Sequence, residues 1–384
     1  MIRLPFLIAA TITCAPIAMA QIPSTDPLAM SPTSLAPTEK IPRTPDGKPD
    51  FQNVVWATNY FPVFEASPMN PNLVVPEDEA RRIVATTFAG MQPFLEESID
   101  PEAHVIMGET DGLPVVRGER RTRLIVLPAN GKLPLTEEAR RIARGADITD
   151  GPKDDYEQRP TGERCLVVSG VPPIHAVISY NRQRIIQTPM HVVIHNENGD
   201  EARIIPFASQ HGAAGPSSWY GESIARWEGD TLVIETIRTP PEERVRGLFT
   251  KFVINEDARI VERYTRLSTS ELLYQFTIED PAAYSEPWLA EFSFKASDTG
   301  MFASPCHEHN HSLPNILLGQ RMADARLASN GHNAGSKQKG RLLGSRTFRF
   351  QVLRAPTSSA RRRSRCGSSS GIPREARGPG SGRP

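Results

Sequence analysis

Six consecutive residues, Cys306-His307-Glu308-His309-Asn310-His311, hold the densest set of groups able to ligate a metal or move a proton. In an extended segment alternate residues share a face, with same-face Cα atoms roughly 6.6 Å apart. His307, His309 and His311 would then converge on one divalent metal, and imidazole suits zinc, copper, iron or nickel. A catalytic zinc site takes three protein ligands and leaves a position open. Without a metal, His307 beside Glu308 is a general acid–base pair, because histidine titrates near neutrality. Asn310 is then placed to polarise a substrate carbonyl. Neighbours on a strand face opposite ways, so this second reading requires a turn. A third reading is a polar loop, with Cys306 structural, His307 bonded to the backbone and Glu308 capping the helix that follows.

The remaining candidates are weaker. His191 and His195 lie on one face of a strand, but four strand residues span about 13 Å, too far to share a metal. Glu197 precedes an Asn-Gly turn and reads as solvated. His175 and His211 fall in Pro- or Gly-rich loops, where a pocket rim is one reading. Arg226-Trp227-Glu228-Gly229-Asp230 is better explained as a turn on Gly229 with Trp227 packed inward than as a ligand motif. The chain has no Gly-x-Ser-x-Gly elbow, His-Glu-x-x-His, phosphate loop or paired-cysteine zinc spacing, which disfavours nucleotide cofactors. No cofactor is firmly predicted; a divalent metal at the three histidines is the one candidate.

The elements that must position these groups are mostly strands. His191–His195 and Glu201–Ile205 flank Asn198-Gly199, a strong hairpin signal. Ile224–Trp227 and Thr231–Glu235 flank a second tight turn, and Lys251–Ile254 and Ala258–Leu267 are joined by Asn255-Glu256-Asp257. Leu272, Tyr274, Phe276 and Ile278 alternate with Leu273, Gln275, Thr277 and Glu279, and Trp288, Ala290, Phe292 and Phe294 with Leu289, Glu291, Ser293 and Lys295, so one set faces inward. The pattern predicts a mainly β protein, an antiparallel meander forming either a lipocalin-like barrel or a sandwich, both of which deal with exposed edges. Helices are expected near 76–89, 136–144 and 313–328, the second capped by Thr136.

Residues 1–20 read as a secretory signal: Arg3, an apolar run, then Ala18-Met19-Ala20 as a cleavage site. A Pro-rich extended leader follows to residue 50, then a single β-rich domain over 51–335. No later stretch is apolar enough to span a bilayer, so no membrane insertion is expected after cleavage. The location is periplasmic or secreted. There, Cys165 and Cys306 within the patterned region are expected to pair, leaving Cys366 odd; two separate buried thiols are the alternative. From Lys337 onward thirteen basic residues face a single acid, Glu375. The body between signal and tail carries 30 basic and 43 acidic residues, a net charge of −13, which disfavours nucleic acid as a partner. The tail, 336–384, reads as a basic arm, as plain disorder, or as the product of a frameshift or read-through.

Several segments, taken in order, resemble a family of exported, largely uncharacterised bacterial proteins. They are Pro45-Asp46-Gly47-Lys48-Pro49-Asp50-Phe51 with Trp56; Arg226-Trp227-Glu228-Gly229-Asp230-Thr231-Leu232-Val233; Val261-Glu262-Arg263-Tyr264; Ile278-Glu279-Asp280-Pro281 with Pro287-Trp288; and Cys306-His307-Glu308 with Asn310 and Pro314-Asn315-Ile316-Leu317. The similarity covers most of 40–325. The family pattern has glycine at the position of His309 and an aromatic at that of His311, so those two histidines depart from it. The resemblance implies architecture and compartment and carries no activity. Three functions are therefore expected in competition. One is a binding protein that takes a small apolar or aromatic molecule into a barrel cavity. Another is a hydrolase or lyase acting through His307 and Glu308, with or without a metal, on a small organic substrate. The third is a structural or interaction protein of the envelope.

Overall fold

The alternating segments fold into one ten-stranded antiparallel sheet. In chain order the strands of the molecule are β1 (Val55–Ala57), β2 (Val74–Val75), β3 (Val115–Val116), β4 (Glu119–Arg121), β5 (Ile125–Leu127), β6 (Arg182–Gln187), β7 (His191–Asn196) and β8 (Glu201–Pro206). They continue with β9 (Glu222–Glu228), β10 (Thr231–Ile237), β11 (Val245–Arg246), β12 (Phe252–Val253), β13 (Arg259–Arg266), β14 (Glu271–Glu279) and β15 (Trp288–Ser297). The large sheet runs β8-β7-β6-β1-β15-β14-β13-β10-β9, with β5 paired to β15, while β2, β4 and β3 form a second sheet and β11–β12 a third. The computed structural model describes residues 33–335 except 59, 61–62, 98–111, 146–152, 168–170, 175–181, 214–217 and 248–249. The expected signal, the first part of the leader, His175, Cys366 and the basic tail lie outside the described residues. The chain divides into a unit ending at Ala328 and a second beginning at Ser329, of which only helical turns to Gly335 are described.

The mainly β, antiparallel reading holds, and of its two forms the open one is found. β8 and β9 are the outer strands; just past the end of β8, Phe207 forms an isolated parallel bridge with Ala225 of β9, with Ala208 N–H donating to Ala225 O at 3.2 Å. No ladder joins them among the described residues, so the barrel is not closed and the sheet is sandwich-like. The inner face is filled. Tyr274 is fully buried and its ring centroid lies 4.8 Å from Tyr264, 5.1 Å from Phe292, 5.7 Å from Phe276 and 5.8 Å from Phe294. Rings of this size each remove about 150–250 Å² from water and prefer such tilted contacts.

The outer face of β14 and β15 is buried too, because the leader and the β3–β4 hairpin lie over it. Gln275 donates to Glu291 at 2.8 Å, the Thr33 hydroxyl donates to the same carboxylate, and Thr38 N–H donates to Leu267 O at 2.7 Å. Arg43 clamps the β9–β10 turn through Asp230 at 2.9 and 2.6 Å. That turn is the tight one expected, closed by Gly229 at φ +61°.

Two local expectations change. The Asn198-Gly199 turn is a four-residue loop, since Asn196 pairs with Glu201 and Asp200 N–H reaches back to Glu197 O at 3.0 Å. β12 and β13 are not a hairpin: β12 pairs with β11, and Asn255 between them is held by Asp280 at 2.8–3.0 Å. Among the described residues the α-helices are α1 (Glu77–Glu97), α2 (Glu137–Gly145) and α3 (Ser312–Gly335). α1 and α3 run past their expected ends, at 89 and 328. The Thr136 cap is present, its hydroxyl accepting from Ala139 N–H at 3.2 Å.

Candidate functional site

Cys165 and Cys306 are disulfide-bonded, with Cα atoms 5.6 Å apart and 141 positions between them in sequence. The link ties the loop before β6 to the segment that opens α3. Beyond it the chain makes a one-turn helix, His307–His309, and Asn310 ends that turn. The Asn310 amide donates to Glu163 O at 2.7 Å, and its oxygen accepts from Leu313 N–H at 3.2 Å. Asn310 therefore joins two distant segments and caps α3, a task the sequence offered to Glu308. The same amide nitrogen also donates to the Cys165 sulfur at 3.3 Å, so neither of its hydrogens is left for a substrate carbonyl.

The turn that the acid–base reading requires is present, yet His307 and Glu308 are exposed and do not line the adjoining groove. The metal reading assumed an extended segment. A helical turn does not set His307, His309 and His311 on one face at strand spacing, so that premise falls. The His309 side chain lies outside the described residues, His311 is exposed, and no three His, Cys, Asp or Glu gather among the described residues.

What the segment does build is a groove of about 840 Å³, lined by Glu163, Arg182, Glu197, Phe302, Pro305 and Asn310 among others. β6 begins at Arg182 and β7 ends just before Glu197, so their antiparallel pairing sets these two residues side by side. Arg182 Nη1 donates to Glu197 Oε2 at 3.1 Å, and the other carboxylate oxygen accepts from Phe302 N–H at 3.0 Å. Glu197, expected to be solvated, is instead buried. It holds the 302–306 segment against the sheet end, a task for which a carboxylate with two charge-assisted acceptor sites is suited. Phe302 is 66% exposed, an unusual position for an aromatic residue so close to a buried carboxylate. On the far side of Glu163 lies a second hollow of about 510 Å³ against α3. Between the two, Arg159 grips Glu163 with two bonds of 2.8 Å.

Two further clusters carry titratable groups. Inside the sheet, Arg203 of β8 reaches Glu262 of β13 at 3.1 and 2.7 Å, and the Tyr274 hydroxyl donates to the same carboxylate at 2.8 Å. Burial, with Glu262 nearby, pushes the Tyr264 and Tyr274 hydroxyls well above their usual range. All four groups are shut from solvent, so the cluster braces the sheet. On the outer face His211 sits 3.3 Å from Glu222 and 3.4 Å from Glu235. Burial lowers its pKa despite the neighbouring Glu235. His195 pairs with Asp200 at 2.7 Å at the β7–β8 loop.

Sequence reasoning missed Arg182, Glu163 and Phe302. Arg182 starts a short strand with mixed signals, and Phe302 stands alone in a Ser-Pro-rich stretch. The chain matches no protein-family model, and no curated protein or solved structure is detectably similar to it.

Proposed function

We propose that this is an exported binding protein for a small organic molecule whose bulk is apolar or aromatic. Its site is the groove beside the Cys165–Cys306 link, not the sheet interior. The supporting observation is that groove: about 840 Å³ of space, with a largely uncovered Phe302 next to the half-buried Arg182 and its buried partner Glu197. Binding sites combine an apolar wall with a few fixed polar groups in this way. The interior, by contrast, is occupied around Tyr274 by the protein's own rings. The disulfide is compatible with an oxidising compartment, and no described helix is long and apolar enough to cross a membrane.

Amide chemical-shift mapping with small one- and two-ring aromatic compounds tests the reading. Binders should perturb residues 302–306 and lose at least fivefold in affinity in Phe302→Ala. Perturbations confined to the β13–β15 interior would refute it. A hydrolase or lyase reading has one observation in its favour, the turn at His307–His309. It requires that His307→Ala abolish turnover of a bound ester or amide, whereas the binding reading expects no change in affinity from that substitution.

A further inference from the structure

One face of α3 runs along both hollows beside the disulfide. Ser312 borders the groove next to Phe302, while Asn315, Ile316, Gly319 and Gln320 border the second hollow. Positions that recur every three or four residues share one stripe of a helix. From Ser312 to Gly319 that stripe covers about 10 Å along the axis. Glu163 lines both spaces, so the two adjoin at a single residue.

The second hollow is kept open by its own wall. Gly319 lies inside α3, where glycine is less favourable than alanine. A Cβ added there would meet no atom within 4 Å, so the missing side chain leaves space rather than relieving a close contact. The charges of the two spaces also differ. Around the second hollow Arg159 and Glu163 hold each other, which leaves Lys153 as a lining cation with no carboxylate partner among the described residues. Lysine carries its charge on a flexible stem, so attraction at Lys153 needs no fixed fork geometry. In the first groove the one lining cation, Arg182, is taken up by Glu197, and Phe302 and Pro305 supply an apolar wall.

We propose that the two hollows are one elongated site whose ligand is a linear amphipathic anion. Its apolar or aromatic end lies against Phe302 and Pro305, and its anionic end reaches past Glu163 to Lys153 in the second hollow. This rests on the groove being the binding site, and it adds the length and polarity of the molecule bound there. No bond is made or broken.

Titration calorimetry on the full, disulfide-intact chain tests the proposal with three probes: 6-phenylhexanoate, phenylacetate and 6-phenyl-1-hexanol. The long acid should bind at least tenfold more tightly than either of the others. Gly319→Leu, which puts a side chain into the open space, should remove its advantage over phenylacetate and leave phenylacetate binding unchanged. Gly319→Ala, a control for helix propensity, should alter the long acid's affinity less than twofold. Lys153→Gln should remove the advantage of the long acid over the alcohol. An undiminished length advantage in Gly319→Leu, an equal loss for long and short acids there, or an undiminished preference for the acid in Lys153→Gln would overturn the elongated site. If binding in that case still fell in Phe302→Ala, the groove itself would stand as a site. Failure of all three probes to bind the unaltered protein would overturn both.

Discussion

Replacing Cys165 and Cys306 together by serine is the perturbation that bears most directly on how the groove is built. The bond closes a loop spanning 141 positions. In the chain-entropy description, a loop of that length restrains the unfolded chain enough to stabilise the fold by about 5 kcal/mol at 25 °C. Two features bring the expected loss below that ceiling. α3 leaves Leu318, Met322 and Leu327 largely exposed, and the Asn310 bonds are among the few that fasten its start. Without the covalent link this end of the native chain also gains freedom, which offsets part of the loss. Unfolded chains are also more compact than random coils. The expected cost is therefore about 2–4 kcal/mol. Urea unfolding followed through the buried Trp56 and Trp288 measures it, with the slope of the transition as a control for changes in exposed surface. A loss below about 1 kcal/mol at unchanged slope would mean that native contacts alone hold residues 165 and 306 together, and the reasoning from loop closure would fail. The same variant should weaken any groove ligand, because the 302–306 wall would then depend on Glu197 and Asn310 alone.

Two more outcomes follow from the polar groups inside and over the sheet. Arg203→Met leaves the Glu262 carboxylate buried beside Tyr274 without its cation and should cost about 3–5 kcal/mol in the same assay, whereas Arg203→Met/Glu262→Leu should recover most of that loss. A double variant as unstable as the single one would show that the pair stabilises by more than avoiding a lone buried charge. Burial alone would raise the Glu271 pKa, but hydrogen bonds from Ser293 and Arg117 N–H, with Lys295 close by, bring it below its ordinary 4.5. A carboxylate with a depressed folded-state pKa contributes stability that is present above pH 4.5 and is lost as pH falls through the lower value. Glu271→Gln should therefore lower the urea midpoint near neutrality and converge on the unaltered protein in acid. A difference that stays constant between about pH 7 and pH 3 would contradict this.

The parts of the fold that were legible in the sequence are those whose signal is local. β9–β10 is announced by Glu228-Gly229-Asp230, because a two-residue turn needs a residue that accepts positive φ, and Gly229 does. β14 and β15 are announced by eight alternate apolar positions, all of which are buried. β1 could not be read. Three residues carry no measurable period, yet they sit between β6 and β15 and complete the sheet. The β12–β13 hairpin was inferred from its turn-forming residues. The chain uses Asn255 to bond Asp280 across a longer distance, and nothing in a three-residue turn distinguishes these uses. Alternation likewise says which rings face inward but not whether space remains between them, since that depends on volumes summed over several strands.

Glu197 and Arg182 show where local rules give the wrong answer for a physical reason. Beside Asn198-Gly199, a carboxylate is expected in water, since burying its charge without partners costs several kcal/mol. The partners arrive from elsewhere: Arg182 through the β6–β7 register, and Phe302 N–H from 105 residues further along. The disulfide brings that second segment into place, so the one long-range contact the sequence did announce is the one that makes the buried carboxylate affordable. The cluster of histidines drew attention to the same ten residues for a different chemistry. His307 and His311 are exposed, while their neighbours Cys306, Asn310 and Ser312 line the groove. If the groove binds a ligand, substitutions at His307 and His311, which do not line it, should leave the affinity untouched.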